Sequence, residues 1–402
     1  MNFLRIAILA PTFLPKCSGA EVFHHNLASR LVDRGHRVTV FAPRSRVRQL
    51  RVGSWRLPYA LEAYPDKRWS WLKRHRGVGF WLNRRALSAL QRQHRFDVWH
   101  AFVLYPAGVV LADWHKQSGV PGLVRAVGDD VSGLPNRGHD KHVAQALREK
   151  LPDAGGLVAL SESMADELAS LGVRRGKISI LPNAVDADRF VPSRAARAAA
   201  RASLGIADNA FVFLCVARHH PQKDFPTLFS AYRSLCAAVP GIDVRLVIAG
   251  RDAERLRPQL GDLADRIHLC DFGAESMPHE VPRLPPDKLV GLYLASDAFV
   301  LSSLLEGFSS AVIEAMAAGL PLAVTDAPGI RGVVTDGREG LLVPVQSPDA
   351  LAGAMRRILD NADLRSQMSA ACRETVTRYT WPAVVEAYEN LYRTLIGERA
   401  AS

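Results

Sequence analysis

The stretch Glu306-Gly-Phe-Ser-Ser-Ala-Val-Ile-Glu314-Ala-Met-Ala-Ala-Gly-Leu-Pro321 comes shortly after the apolar run Ala298–Leu301, and how the two are read decides the fold. The run has the composition of a strand buried on both faces. The residues after it spell a loop, an N-cap at Ser309 or Ser310, and a helix over Ser310–Ala318. That order puts the loop at the carboxyl end of a parallel strand, where open α/β sheets bind their ligands. The helix start offers backbone N–H groups and the positive end of the helix dipole, which suit a phosphate. Glu306 on the loop and Glu314 about a turn into the helix are acceptors suited to sugar hydroxyls on either side of it. A single Glu is usually just a solvated carboxylate, but this joint placement around a helix start favours a site.

Outward from this stretch, short aliphatic runs alternate with helical patterns. The expected strands are Arg5–Ala10, Arg37–Phe41, Asp97–Phe102, Leu123–Val127, Gly156–Leu160 and Lys177–Leu181, then Ala210–Val216, Val244–Ala249, Ile267–Leu269, Ala298–Leu301 and Leu320–Val324. Such alternation implies parallel sheets covered by helices on both faces, here two doubly wound units. The alternation lapses around the Ala/Arg-rich run Ser193–Ser203. Residues 1–190 are therefore expected to form one Rossmann-like domain, 191–208 a linker, 209–378 a second Rossmann-like domain, and 379–402 a closing helix. On that helix Trp381, Val384, Val385, Tyr388, Leu391, Tyr392 and Leu395 make one apolar stripe that needs a surface to cover.

The 402 residues are 48% hydrophobic and 23% charged, which excludes a disordered, collagen-like or coiled-coil chain and suffices for two full cores. The five cysteines are an odd number without metal-ligand spacing, so neither a disulfide framework nor a zinc site is indicated, and a reducing compartment fits. Phe3–Ala10 is interrupted by Arg5 and reads as a strand rather than a signal peptide. No run is long enough to span a bilayer. The net charge of +11 is concentrated: residues 44–95 hold fourteen Arg or Lys against Glu62 and Asp66. That leaves 37 basic and 38 acidic residues of the chain's 51 and 40.

The Glu306…Glu314 stretch resembles the Glu-x7-Glu motif of retaining GT-B glycosyltransferases, in particular family 4. Further stretches resemble that family in its order. Val216-Ala-Arg218-His-His-Pro-Gln-Lys223-Asp resembles its Gly-Arg…Lys-Gly element, and Ser18-Gly19-Ala20-Glu21 its Gly-Gly-x-Glu loop. Leu181-Pro-Asn183-Ala-Val-Asp186-Ala-Asp-Arg-Phe190 is similar to the signature before the hinge, and Gly337-Arg-Glu-Gly340-Leu-Leu-Val-Pro344 to a late strand. The resemblance implies two Rossmann-like domains facing a central cleft, the closing helix crossing back to the first domain, with the acceptor bound by the first and the nucleotide-diphospho-sugar (UDP- or GDP-sugar) by the second. It implies transfer with retention and no divalent metal or other cofactor. Arg218 and Lys223 would neutralise the donor diphosphate. Gly19 would let the backbone approach the donor phosphates or the acceptor across the cleft, Glu306, Gly307, Phe308, Ser309 and Ser310 would line the donor site, and Glu314 would hold the ribose. Asp186-Ala-Asp188 spells the metal motif of another glycosyltransferase fold but sits in the hinge signature, so no metal ligand is expected.

Two departures stand out. Where relatives often carry a His-Gly-x-Asp loop this chain has Ala126-Val127-Gly128-Asp129-Asp130, so Asp130 and, as a substitute histidine, His100 become candidates for contact with the reacting sugar or the acceptor. Arg331, in Pro328-Gly329-Ile-Arg331, stands where a Glu is usual.

The basic segment interleaves Trp55, Trp69, Trp71, Phe80 and Trp81 with its cations, which suits an anionic membrane surface or a lipid-linked acceptor. A solvated face and nucleic-acid binding are the other readings, and no nucleic acid is expected. The combined expectation is a cytoplasmic enzyme, peripheral on the inner face of a membrane, acting on a glycan or lipid-linked intermediate of polysaccharide or lipopolysaccharide biosynthesis. Its rivals are a sugar-nucleotide epimerase on the same fold and a non-enzymatic basic scaffold.

Overall fold

A computed structural model of the chain describes residues 3–15, 19–53, 55–64, 69, 71–72, 75–128, 141–272 and 285–401. Two compact units are present: Met1–Asn183 with Pro382–Ser402, and Ala184–Met277 with Pro282–Trp381.

The first unit is built on β1 (Arg5–Leu9), β2 (Arg37–Pro43), β3 (Ala60–Tyr64), β4 (Val98–Phe102), β5 (Gly122–Arg125), β6 (Gly156–Ala159) and β7 (Ile178–Ile180). They form one sheet in the order β3-β2-β1-β4-β5-β6-β7, parallel throughout. Ile6 through Leu9 are completely buried, as expected of a central strand covered on both faces. The second unit holds β8 (Phe211–Val216), β9 (Val244–Gly250), β10 (Ile267–Asp271), β11 (Ala298–Leu301), β12 (Leu322–Thr325) and β13 (Gly340–Val343), ordered β10-β9-β8-β11-β12-β13 and again parallel. In each sheet the strand order reverses once, between β1 and β4 and between β8 and β11. These are the two switch points at which loops diverge.

The expected strands all form, with ends shifted by at most two residues. The edge strand β3 was not expected. Its sequence Ala-Leu-Glu-Ala-Tyr has weak strand propensity, and pairing with β2 from Thr39↔Ala60 to Pro43↔Tyr64 decides its conformation.

The expected linker 191–208 is corrected: its middle is the helix Arg194–Leu204, and the unit boundary falls earlier, after Asn183. Ser193 caps that helix by accepting from Ala196 N at 3.3 Å. Arg201, only 1% exposed, donates to the carbonyls of Ala295, Ala207, Asp208 and Ala210 and pairs with Asp297 at 2.8 Å. Asp297 in turn accepts from Val212 N at 2.8 Å, tying the helix to the start of β8. An Ala/Arg run reads as a linker by composition. One buried guanidinium with five acceptors makes it part of the second unit.

The closing helix Trp381–Ala401 belongs with the first unit from Pro382 onward. Its predicted stripe is buried apart from a half-exposed Leu391. Polar contacts fix its register: Glu389 bonds His36 Nε2 at 2.6 Å and Arg34 Nε at 2.9 Å, and Tyr388 accepts from Arg125 Nε at 2.9 Å.

Arg201→Ala removes one buried donor from Asp297 and from four carbonyls, so stability in urea should fall by about 3 kcal/mol or more. Arg197→Ala, which also loses a contact with Asp297 but starts from a side chain 34% exposed, should cost clearly less. Equal losses would refute the burial argument.

Candidate active site

The switch point of the second sheet brings two loops together. One leaves β8 through Ala217 and the half-buried Arg218. Here β9 passes so close that a Cβ on Gly250 would lie 2.2 Å from the Ala217 carbonyl oxygen. The loop then makes the turn Pro221–Lys223 and enters the helix Phe225–Ala238 through Asp224, which caps it by accepting from Thr227 N at 3.5 Å and also accepts from Thr227 Oγ1 at 2.6 Å. The other loop leaves β11 at Leu301. Ser302 Oγ donates to the Lys223 carbonyl at 2.7 Å and Leu304 N to the Gln222 carbonyl at 2.8 Å, stitching the loops along their length.

Lys223 and Glu306 meet where the loops are stitched. Lys223 Nζ donates to Glu306 Oε1 at 2.5 Å, and the same oxygen accepts from Ser303 Oγ at 2.7 Å. The two charged side chains are 16% and 10% exposed, so the pair is largely shielded from water. Thr325 Oγ1, at the end of β12, fixes the Ser303 carbonyl at 2.6 Å, and Glu306 N donates to the Pro328 carbonyl at 3.0 Å. Gly329 has φ +83°, and a Cβ there would stand 2.1 Å from the Glu306 carbonyl oxygen, so only glycine allows this approach.

Beyond Glu306 come Gly307 and Phe308, whose ring lies 5.8 Å from that of Tyr379, and then the buried N-cap Ser309. The helix Ser310–Ala317 starts there. The Ser309 side chain makes no cap hydrogen bond, while its carbonyl accepts from Val312 N and Ile313 N. Glu314, one turn in, accepts from the fully buried Tyr293 hydroxyl at 2.8 Å. Burial pushes its carboxyl up to about 7, against the opposing pull of the Tyr293 hydrogen bond and the Arg189 charge.

The structure thus collects Arg218, Lys223, Glu306, Gly307, Phe308, Ser309, Ser310 and Glu314 in one unit. Gly19 lies in the other unit, at the exposed start of the helix Gly19–Asp33, where a Cβ would meet nothing within 4 Å, so the position does not demand glycine. Asp130, with Asp129 and Ser18, lies outside the described residues. The expectation for His100 is corrected. It is a completely buried β4 residue whose Nδ1 bonds the Tyr392 hydroxyl at 2.7 Å, with burial and the Arg125 charge pushing its pKa well below the ordinary value. A ring enclosed in the first unit's core has no surface to offer a sugar. Arg331 turns to Asp326, 2.7 Å away, and stays exposed.

Ser302, Ser303, Thr325 and Tyr293 were not anticipated. The serines come directly after β11 and Thr325 ends β12, a positional signal that the switch-point rule could have supplied. Tyr293, inside an apolar helix pattern, gave none. Among the described residues no cluster of three or more His, Cys, Asp or Glu could hold a metal ion, and no helix is long and apolar enough to cross a membrane.

Comparison with known proteins gives consistent results for both units. The family model described as Glycosyltransferase Family 4 matches residues 17–189, and that described as Glycosyl transferases group 1 matches residues 196–375. Similar curated relatives include a D-inositol 3-phosphate glycosyltransferase of Corynebacterium urealyticum, 29% identical over 60% of this chain and 56% of the relative. D-inositol 3-phosphate glycosyltransferase 2 of Catenulispora acidiphila is 30% identical over 71% of this chain and 65% of the relative. The chain therefore spans less than two thirds of these relatives. Among solved structures, a sucrose-phosphate synthase from Thermosynechococcus elongatus superimposes with TM-score 0.76 at 22% identity, covering 99% of this chain and 100% of that one. Anabaena HepE in complex with UDP and glucose gives 0.75 at 18%, covering 97% and 100%. Both are likenesses of fold.

Because Glu314 titrates at about 7 when folded and near 4.5 when unfolded, its ionisation works against folding. The cost is absent below about pH 4.5, grows as pH rises towards 7 and is then constant, reaching about 3 kcal/mol. Glu314→Gln should therefore gain stability over the wild type at pH 8 but little at pH 5. Urea midpoints at the two pH values check this, and a gain independent of pH would contradict it.

Proposed function

The chain belongs to family 4 of the GT-B glycosyltransferases, and from that premise we propose that it transfers a sugar, with retention and without a metal ion, from a nucleotide-diphospho-sugar to a glycan or lipid-linked acceptor. The observation that carries this reading is the Lys223–Glu306 contact at the switch point, with Arg218 on the same loop and a helix start directly beyond. Arg218, Lys223 and the helix start supply positive charge for a diphosphate whose charge grows as it departs. Glu306 accepts from hydroxyls of the transferred sugar and Glu314 from those of the ribose. The bond from the sugar's anomeric carbon to the diphosphate oxygen breaks, and the acceptor oxygen bonds that carbon on the same face. The acceptor's proton passes to the departing diphosphate. HepE was solved with UDP, which makes UDP-sugars the first donors to try.

The acceptor side rests on the basic segment. Its helix Arg44–Val52 exposes Arg44, Arg48 and Arg51. Its helix Arg76–His94 exposes Val78, Trp81, Arg85 and Arg92 along one face, with the Arg85 guanidinium 4.9 Å over the Trp81 ring. Trp81 is 47% exposed. Arginines around an exposed tryptophan suit an anionic membrane surface or a phosphorylated acceptor. The relatives' names, which specify D-inositol 3-phosphate, agree with an anionic acceptor.

Purified protein given a panel of UDP- and GDP-sugars should turn over one of them only with an acceptor present. Glu306→Gln and Arg218→Ala should each lower kcat/KM by at least about 100-fold. Wild-type turnover in both variants would refute the site, and conversion of donor alone would replace transfer by epimerisation. Separately, Arg48→Glu, Arg51→Glu and Arg92→Glu combined should abolish sedimentation with vesicles containing anionic lipid and leave donor binding unchanged. Unaltered sedimentation would rule out this face.

A further inference from the structure

The turn Ala187–Phe190, in the stretch read as a hinge signature, packs against the helix Asp287–Ala295. Phe190, fully buried, sets its ring edge-on to Tyr293 at 5.5 Å, and Tyr293 stacks on Phe299 of β11 at 6.2 Å. The phenol is thereby held in one orientation, its hydroxyl on Glu314 Oε2. Beside Phe190, the side chain of Arg189 is 15% exposed and pairs with Asp287 at 2.6 Å, at the start of the same helix. Both residues thus stand on the side of Glu314 formed by this helix and turn.

We propose that Tyr293 is a positioning residue: its hydroxyl aims the Glu314 carboxylate and, with the Arg189 charge, opposes the burial that would neutralise it, so that capture of the donor ribose depends on the ionisation of this one group. The inference rests on the reading of Glu314 as the ribose acceptor. A carboxylate accepts both hydroxyls of a diol, whereas a carboxyl must give one acceptor position to its own proton. Burial favours the carboxyl. A hydrogen bond to the charged form and a nearby cation both favour the carboxylate.

The other groups around Glu314 leave this control to the pair. Cys215 of β8 acts on Tyr293, but its thiol, pushed up to about 12 by burial, is neutral. Burial also pushes the Tyr293 phenol well above its ordinary range, so it remains a donor. On the helix Ala362–Val376, which packs on Ser310–Ala317, Arg365 donates to the Ile358 and Leu359 carbonyls, and Arg373 lies beside Gly319 beyond the helix's far end.

The test combines two readouts on the full chain. Carboxyl NMR of labelled Glu should place the Glu314 titration near neutral pH in the wild type and at higher pH in Tyr293→Phe and Arg189→Gln. UDP affinity, measured from pH 5.5 to 9, should rise with pH in the wild type and be level in Glu314→Gln. In Tyr293→Phe the rise should move to higher pH, with a loss of roughly fivefold at pH 7 and little loss at pH 9. An unmoved Glu314 titration in both variants overturns the proposal, as does a loss of UDP affinity that is equal at every pH, the mark of a packing defect. If the titration moves as expected while UDP affinity is level with pH in the wild type, the ribose reading fails and the control of Glu314 by Tyr293 and Arg189 stands.

Discussion

Lys223 can reach Glu306 only because β8 and β11 are neighbours whose onward connections run to opposite sides of the sheet. From β8 the chain passes to β9 and β10 on one side, and from β11 to β12 and β13 on the other. Right-handed crossovers in opposite directions send the next helices to opposite faces, so the two loops part above the strand ends. Apart from Gly19, which lies in the other unit, everything assigned to the donor lies on those loops or in the first turn or so of the helix Ser310–Ala317. Gly250 and Gly329 matter for the same reason, since each lets backbone come within a distance that a side chain would forbid.

Two carboxylates, Glu306 and Glu314, are handled in opposite ways. Glu306 is held by an ammonium and a hydroxyl. Glu314 has a phenol and a more remote cation, and burial outweighs them. The second arrangement suits a group whose acceptor capacity varies near neutral pH. The polar neighbours Ser302, Ser303 and Thr325 sit at strand ends, where β-sheet geometry repeats more faithfully than loop geometry, so the charged residues inherit the rigidity of the sheet.

Much of this was legible in the sequence. Apolar runs named the strands because a strand buried on both faces has no polar positions to blur it, as with Ile6–Leu9 and Ala298–Leu301. The stripe on Trp381–Ala401 announced a covered face for the same reason. Less legible were β3, whose residues lack strand propensity, and the helix Arg194–Leu204, whose composition equally suits a linker. His100 misled because a histidine in a strand looks alike in sequence whether it faces substrate or Tyr392.

The sequence by itself determined the two doubly wound units, the loops that bear the site, and the concentration of charge in residues 44–95. These depend on local periodicity, caps and composition, which neighbouring residues express together. Only the tertiary structure decided which partner each polar side chain meets. Arg201 finds Asp297 across 96 positions, Lys223 finds Glu306 across 83, and His100 finds Tyr392 across 292. Periodicity tells that a side chain is buried but carries no address for its partner. A buried charge or hydroxyl takes its protonation and its role from that partner.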